Sequence, residues 1–143
     1  MVDAGATNGK AGTLLLDPEY LVIGDVEAGL LSYVMRSGTS TSLQADDDIT
    51  IDSMIDSRGL YAGGGITLTA GNDININNYI ITNNGAVNLT ASGGAVTVAY
   101  GYGVFAGTAP IQVIQNDSIT DYAYITSGSL LLRSTAASIN IVN

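Results

Sequence analysis

Three aspartates in a row, Asp46, Asp47 and Asp48, form the densest acidic run in the chain, and Asp73 holds the matching place in a similar stretch 25 residues later. Ca²⁺ collects several oxygen ligands, so a cluster of this kind is where a hard cation would be sought. The run lacks the spacing and the glycine of an EF-hand loop, and no Gly-Gly-x-Gly-x-Asp repeat accompanies it. Asp46, Asp48 and Asp73 are therefore weak metal candidates, and a solvated turn is the simpler expectation. No cofactor is expected.

A second anomaly is aromatic. Tyr100, Tyr102 and Phe105 lie in one glycine-rich stretch, and Tyr122 and Tyr124 follow about one repeat later. Exposed aromatic faces stack on sugar rings or peptides, so these five residues are a candidate ligand platform. The plainer alternative is a tyrosine stack that packs a wide loop, with glycine relieving the crowding. Asn88-Leu-Thr90 and Asn116-Asp-Ser118 fit the Asn-x-Ser/Thr acceptor pattern, which also arises by chance.

Other chemistry is excluded by what the chain lacks. It has no Cys and no His, so disulfides, thiolate zinc sites and catalysis through either residue are ruled out. Thirteen acids in 143 residues will fall close in pairs without forming a glycosidase site. The four cations, Lys10, Arg36, Arg58 and Arg133, are spread out, so the basic cleft of a polysaccharide-acting β-helix enzyme is not expected. A net charge of −9 argues against nucleic-acid binding and against anionic membranes. No apolar run is long enough to span a bilayer, so no membrane insertion is expected.

The elements that must carry these residues form a repeat. Leu43 to Ile51, Leu68 to Ile76, Leu89 to Val98 and Leu132 to Ile141 each read as an apolar strand, a short polar turn and a second strand of apolar-x-apolar type. The last two of these carry one extra turn residue. Leu16 to Ile23 is a fifth copy. Val113 to Ile119 is a weaker sixth, because Asp121 stands where an apolar residue is expected. Strand starts at Leu14, Thr41, Ile66, Val87, Ile111 and Leu130 are spaced by 27, 25, 21, 24 and 19 residues. Ile55 and Tyr79-Ile80-Ile81 mark a third short strand in each unit.

Period-two alternation and β-branched residues favour strands over helices. Only Leu21 to Met35 has a helical look, and Gly24 and Gly29 are expected to interrupt it. A sandwich of hairpins would also alternate, but it gives no reason for the same residue type to recur at the same point of each unit. Parallel coils do. Leu16, Leu43, Leu68, Leu89 and Leu132 should then form one buried column, and Ile49, Ile74, Val96 and Ile139 another. Thr50, Asn75, Thr97 and Asn140 should form an outward polar ladder. The fold class expected is all-β, a parallel β-helix of about six coils, with residues 1–143 as one segment of a longer repeat protein. Bare strand edges at both ends would invite end-to-end self-association.

Two stretches carry a family likeness. Gly12-Thr-Leu-Leu-Leu-Asp17-Pro18-Glu-Tyr-Leu-Val-Ile23-Gly and Gly65-Ile-Thr-Leu-Thr-Ala-Gly-Asn-Asp-Ile-Asn-Ile76 resemble the opening segment and the repeating coil of the filamentous-haemagglutinin-like large exoproteins of Gram-negative bacteria. The resemblance implies a right-handed β-helix shaft, secreted by the two-partner route through an outer-membrane β-barrel exporter. It implies a non-catalytic role in attachment at the cell surface, with a host or bacterial surface protein or glycan as ligand. The family's secretion domain carries Asn-Pro motifs; this chain has no Asn-Pro, so it reads as shaft. An ice-binding β-solenoid is the competing reading, for which Thr39-Ser-Thr41 and Thr67-Leu-Thr69 are the available Thr-x-Thr pairs.

Overall fold

The computed structural model describes residues 18–120, 125–136 and 139–140. The chain enters on β1 (Leu21–Ile23) and α1 (Asp25–Arg36). Trios of strands follow. The first is β2 (Thr41–Ala45), β3 (Ile49–Ile51) and β4 (Ile55–Asp56), and the second is β5 (Ile66–Ala70), β6 (Ile74–Ile76) and β7 (Ile80–Ile81). The third is β8 (Val87–Ala91), β9 (Val96–Val98) and β10 (Val104–Phe105), and the fourth is β11 (Pro110–Gln115), β12 (Ile119–Thr120) and β13 (Ile125–Thr126). β14 (Ser129–Ser134) and β15 (Ile139–Asn140) complete the described strands.

Apart from β9 and β12, each strand of a trio pairs in parallel with its counterpart in the next trio. The long strands form one sheet in the order β14-β11-β8-β5-β2, the middle strands a second, β1-β3-β6-β9, and the short third strands another, β13-β10-β7-β4. β12 and β15 pair separately. The strand starts lie in one row, Thr41, Ile66, Val87, Ile111 and Leu130, as the repeat requires.

The inward columns follow from alternation: a residue that faces in on one strand sits over the residue that faces in on the next. Leu43, Leu68, Leu89, Val113 and Leu132 are register partners in turn. So are Leu21, Ile49, Ile74 and Val96, and Ile55, Ile80 and Val104. Leu68, Leu89, Ile49, Ile74, Ile55 and Ile80 are fully buried. Leu16 and Ile141 lie outside the described residues. Ile139 joins Ile119 rather than Val96, so the expected Ile49–Ile74–Val96–Ile139 column is interrupted.

The segment expected to be broken by glycine is a helix. Gly24 is not inside it: with φ −85° and ψ −167° it is the extended N-cap. Asp25 and Glu27 in the first turn and Arg36 in the last complement the helix dipole. Gly29 falls on the exposed side, where missing a Cβ costs only about 1 kcal/mol of helix propensity. Ala28, Ser32 and Met35, spaced as one helical stripe, are buried.

α1 takes the place that a third-sheet strand would occupy before β4, and it covers the edge of β4 with side chains. The Asp56 N–H donates to Ser32 Oγ at 2.9 Å, and Arg36 Nε donates to the Asp56 carbonyl at 3.1 Å. Ser32 Oγ donates in turn to the Ala28 carbonyl at 2.7 Å. The Asp56 backbone groups on the edge of β4 are thus bonded to α1, as covering an edge strand requires.

Candidate functional site

Polar side chains on the outer surface bond mainly from one unit to the next. Asp48 and Asp73 do stand one unit apart, and each carboxylate is used by the backbone of its successor. Asp48 Oδ1 accepts from Asn72 Nδ2 and from the Asp73 N–H, both at 3.0 Å. Asp73 Oδ1 accepts from the Ala95 N–H at 2.8 Å. Gly94 permits this, since a Cβ there would collide with the Asp73 carboxylate. The Asp46 N–H donates to the Pro18 carbonyl at 2.9 Å. The Asp47 carboxylate hydrogen-bonds Tyr20 and raises that hydroxyl's pKa. Among the described residues no group of three or more His, Cys, Asp or Glu side chains is placed to hold a metal ion. The arrangement explains the acidic run as turn-to-turn fastening.

The same device recurs with amides. Asn77 Nδ2 donates to Asp52 Oδ1 at 2.9 Å, and Asn78 Nδ2 to the Asp52 carbonyl at 3.1 Å. Thr108 donates through both its N–H and its hydroxyl to Asn84 Oδ1, at 2.9 and 3.0 Å. Of the expected ladder, Thr50, Asn75 and Thr97 are in register, and Thr97 Oγ1 donates to Asn75 Oδ1 at 2.9 Å. Asn140 pairs with Thr120 instead. Both sequon asparagines also reach their neighbours. Asn88 Nδ2 lies 3.5 Å from Thr67 Oγ1, and Asn116 Nδ2 donates to the Gly93 carbonyl at 3.4 Å.

The aromatic platform is partly assembled, around a residue that the sequence reading placed only in a strand. Tyr79 meets Tyr102 edge to face, with ring centroids 5.2 Å apart, and Phe105 at 6.1 Å. Its hydroxyl donates to the Gly101 carbonyl at 2.8 Å. Tyr102 and Phe105 are half-buried, whereas Tyr100 is 92% exposed beside them. Tyr122 and Tyr124 lie outside the described residues. The signal for Tyr79 was present in the repeat: Ile80 and Ile81 pair with Val104 and Phe105, which puts Tyr79 beside Gly103 and under the tyrosine-rich turn. The pairing also shows that Val104–Phe105 is a third strand and not a free loop.

The arginines are less dispersed than the sequence suggests. Arg58 grips Asp56 through Nε at 2.9 Å and a terminal nitrogen at 2.7 Å, while Arg36 holds the same residue's carbonyl. The Arg58 hydrogen bonds hold the Asp56 carboxyl below its ordinary pKa, with Arg36 adding to the effect. Asp56 in turn raises the Arg58 pKa, which is the wrong direction for a catalytic base. A carboxyl whose pKa is depressed by folding stabilises the fold above its unfolded-state value, and that contribution disappears as pH falls through the folded value. Asp56→Asn is therefore expected to lower the urea midpoint at neutral pH, with the difference from the parent closing on acidification below the usual carboxylate range. An unchanged midpoint at neutral pH would show that solvent screens the pair completely.

On the outer face of the long-strand sheet the rows read Ser42, Thr67, Asn88, Gln112, Leu131 and Gln44, Thr69, Thr90, Ile114, Arg133. Thr41 belongs to the inward row with Ile66, so the Thr39–Thr41 pair does not extend Thr67–Thr69. No protein-family model, curated protein sequence or solved structure matches this chain.

Proposed function

We propose that this chain is a right-handed parallel β-helix, and that it serves as a shaft segment of a secreted bacterial surface adhesin of the filamentous-haemagglutinin-like kind. The observation that carries the reading is the single parallel register of five successive long strands, with like residues stacked from Thr41 to Leu130. A chain whose strands stack unit upon unit in one register makes a long, stiff spacer from short local contacts. Its polar outer bonds fasten one turn to the next. On this reading the protein is non-catalytic, exported through an outer-membrane β-barrel, and displayed on or released from the cell. The exposed Tyr100 beside the Tyr79–Tyr102–Phe105 cluster is the proposed contact for a host or bacterial surface ligand, protein or glycan.

The test is direct binding of the labelled 143-residue chain to fixed epithelial cells, to fixed bacteria and to a glycan array. Saturable binding to at least one surface is expected. A Tyr100→Ala/Tyr102→Ala double variant with an unchanged β-type circular dichroism spectrum should bind at least about tenfold more weakly, as loss of an aromatic anchor does. A folded parent chain that binds none of these surfaces removes the adhesive role. Equal binding by parent and double variant removes the aromatic contact.

A further inference from the structure

In the long-strand sheet one inward row reads Ala45, Ala70, Ala91 and then Gln115, a buried polar side chain in a column of small apolar ones. Its amide lies where two backbones would ordinarily meet. In the earlier units the first N–H of each middle strand donates directly to the unit that follows. Leu21 donates to the Asp48 carbonyl at 2.9 Å, Ile49 to Asp73 at 2.9 Å and Ile74 to Ala95 at 3.0 Å. At the next level the Val96 N–H donates to Gln115 Oε1 at 3.0 Å. Gln115 Nε2 then donates to the Ser118 carbonyl at 3.0 Å and to the Asp117 carbonyl at 3.2 Å. Ser118 precedes Ile119 as Asp48 precedes Ile49, so the side chain spans the gap as an inserted peptide unit would.

Four residues connect Ala91 to Val96, and only three connect Gln115 to Ile119. The shorter turn is drawn in beneath the longer one, with the Asn116 and Asp117 N–H groups both on the Gly94 carbonyl at 3.0 and 3.1 Å. Among the described residues the middle sheet runs from β1 to β9, and β12 pairs with β15. The other two sheets run through this level unbroken.

We infer that Gln115 is the latch of a joint in the stack: the strands from β11 onward open together as one block, separately from β2 to β10. Coupling in a stacked repeat is between nearest neighbours, and between these two units the described residues show no backbone ladder from β9 to β12, whose place the Gln115 amide takes. The inference rests on the stacked-coil reading.

Hydrogen–deuterium exchange of the intact 143-residue chain tests both. In the parent, protection should drop in a step between β10 and β11, with amides from Ile111 onward opening together. Gln115→Ala should speed exchange in β11, β12 and β14 by about ten- to a hundredfold, the usual effect of stranding a buried donor and acceptor, and leave β3, β5 and β6 within about twofold. Gln115→Glu, which can accept from Val96 but donates nothing when ionised, should show the same local loss at neutral pH and recover protection on acidification. A smooth decline toward residue 140 with no step, or equal loss in every strand of Gln115→Ala, overturns the joint. A parent chain without protected amides in β3, β5 and β6 overturns the stacked-coil reading itself, a result distinct from either.

Discussion

Gly71→Ala is expected to cost about 3 kcal/mol of folding stability, near the top of the usual range for an overpacked site. A Cβ at Gly71 would fall well inside contact distance of the Asp46 carbonyl oxygen, one unit earlier in the stack. That oxygen belongs to backbone and cannot rotate aside. The Asn72 N–H, bonded to the Asp47 carbonyl at 3.0 Å, fixes the two turns at this separation. Gly64, Gly85 and Gly128 meet carbonyls of the preceding unit in the same way, so close turn-to-turn approach is a recurring need and not one of positive φ. Gly29→Ala supplies the control. Nothing lies within 4 Å of a Cβ there, the residue is exposed in α1, and the substitution should add about 1 kcal/mol through helix propensity alone. Urea melts of the two variants should move in opposite directions with unchanged slopes. A Gly71→Ala midpoint equal to the parent's would show that the turns are not spaced by backbone contact.

Leu68→Ala is expected to cost between about 2 and 5 kcal/mol. Leu68 is fully buried between Leu43 and Leu89, so its removal leaves a void with large side chains above and below and no flexible neighbour to fill it. Leu60→Ala should change stability by less than about 0.5 kcal/mol, because Leu60 is 95% exposed. The damage from Leu68→Ala should be felt most in β2 and β8, its register partners. Thermal or chemical melts of the pair give the magnitudes. A Leu68→Ala variant that loses no more than Leu60→Ala would contradict the inward column.

The long strands were legible in the sequence because an inward position is intolerant. Thr41, Ile66, Val87, Ile111 and Leu130 could be aligned before any coordinates, since each stands two residues before a Leu or Val in an alternation that a one-residue slip would turn inside out. The helix was not legible, because Gly24 and Gly29 weigh equally in a propensity count. Only the structure shows that one is the cap and the other is on the exposed face. Gln115 was invisible for a different reason. A single glutamine in an alanine row carries no pattern, and its role depends on the Val96 N–H and the Ser118 carbonyl that the fold brings to either side of it. Tyr79 shows the same limit in the candidate site. Its aromatic partners come from the next unit, so the cluster emerges only when Ile80 and Ile81 are set against Val104 and Phe105.

The turn-to-turn fastening through Asp48, Asp73, Asn77 and Asn84 has a consequence for how such a gene can change. Most of these links join a residue to its counterpart one unit away, so removing one complete unit leaves the pairing of the others intact. Excising residues 66–86 in frame would set Val87, Leu89 and Ala91 over Thr41, Leu43 and Ala45, and the rows would close without a missing member. Removing three or four residues from within a strand would instead displace every partner downstream. Recombination between neighbouring copies, which adds or deletes complete periods, is therefore one route by which a lineage can lengthen or shorten this protein while keeping it folded.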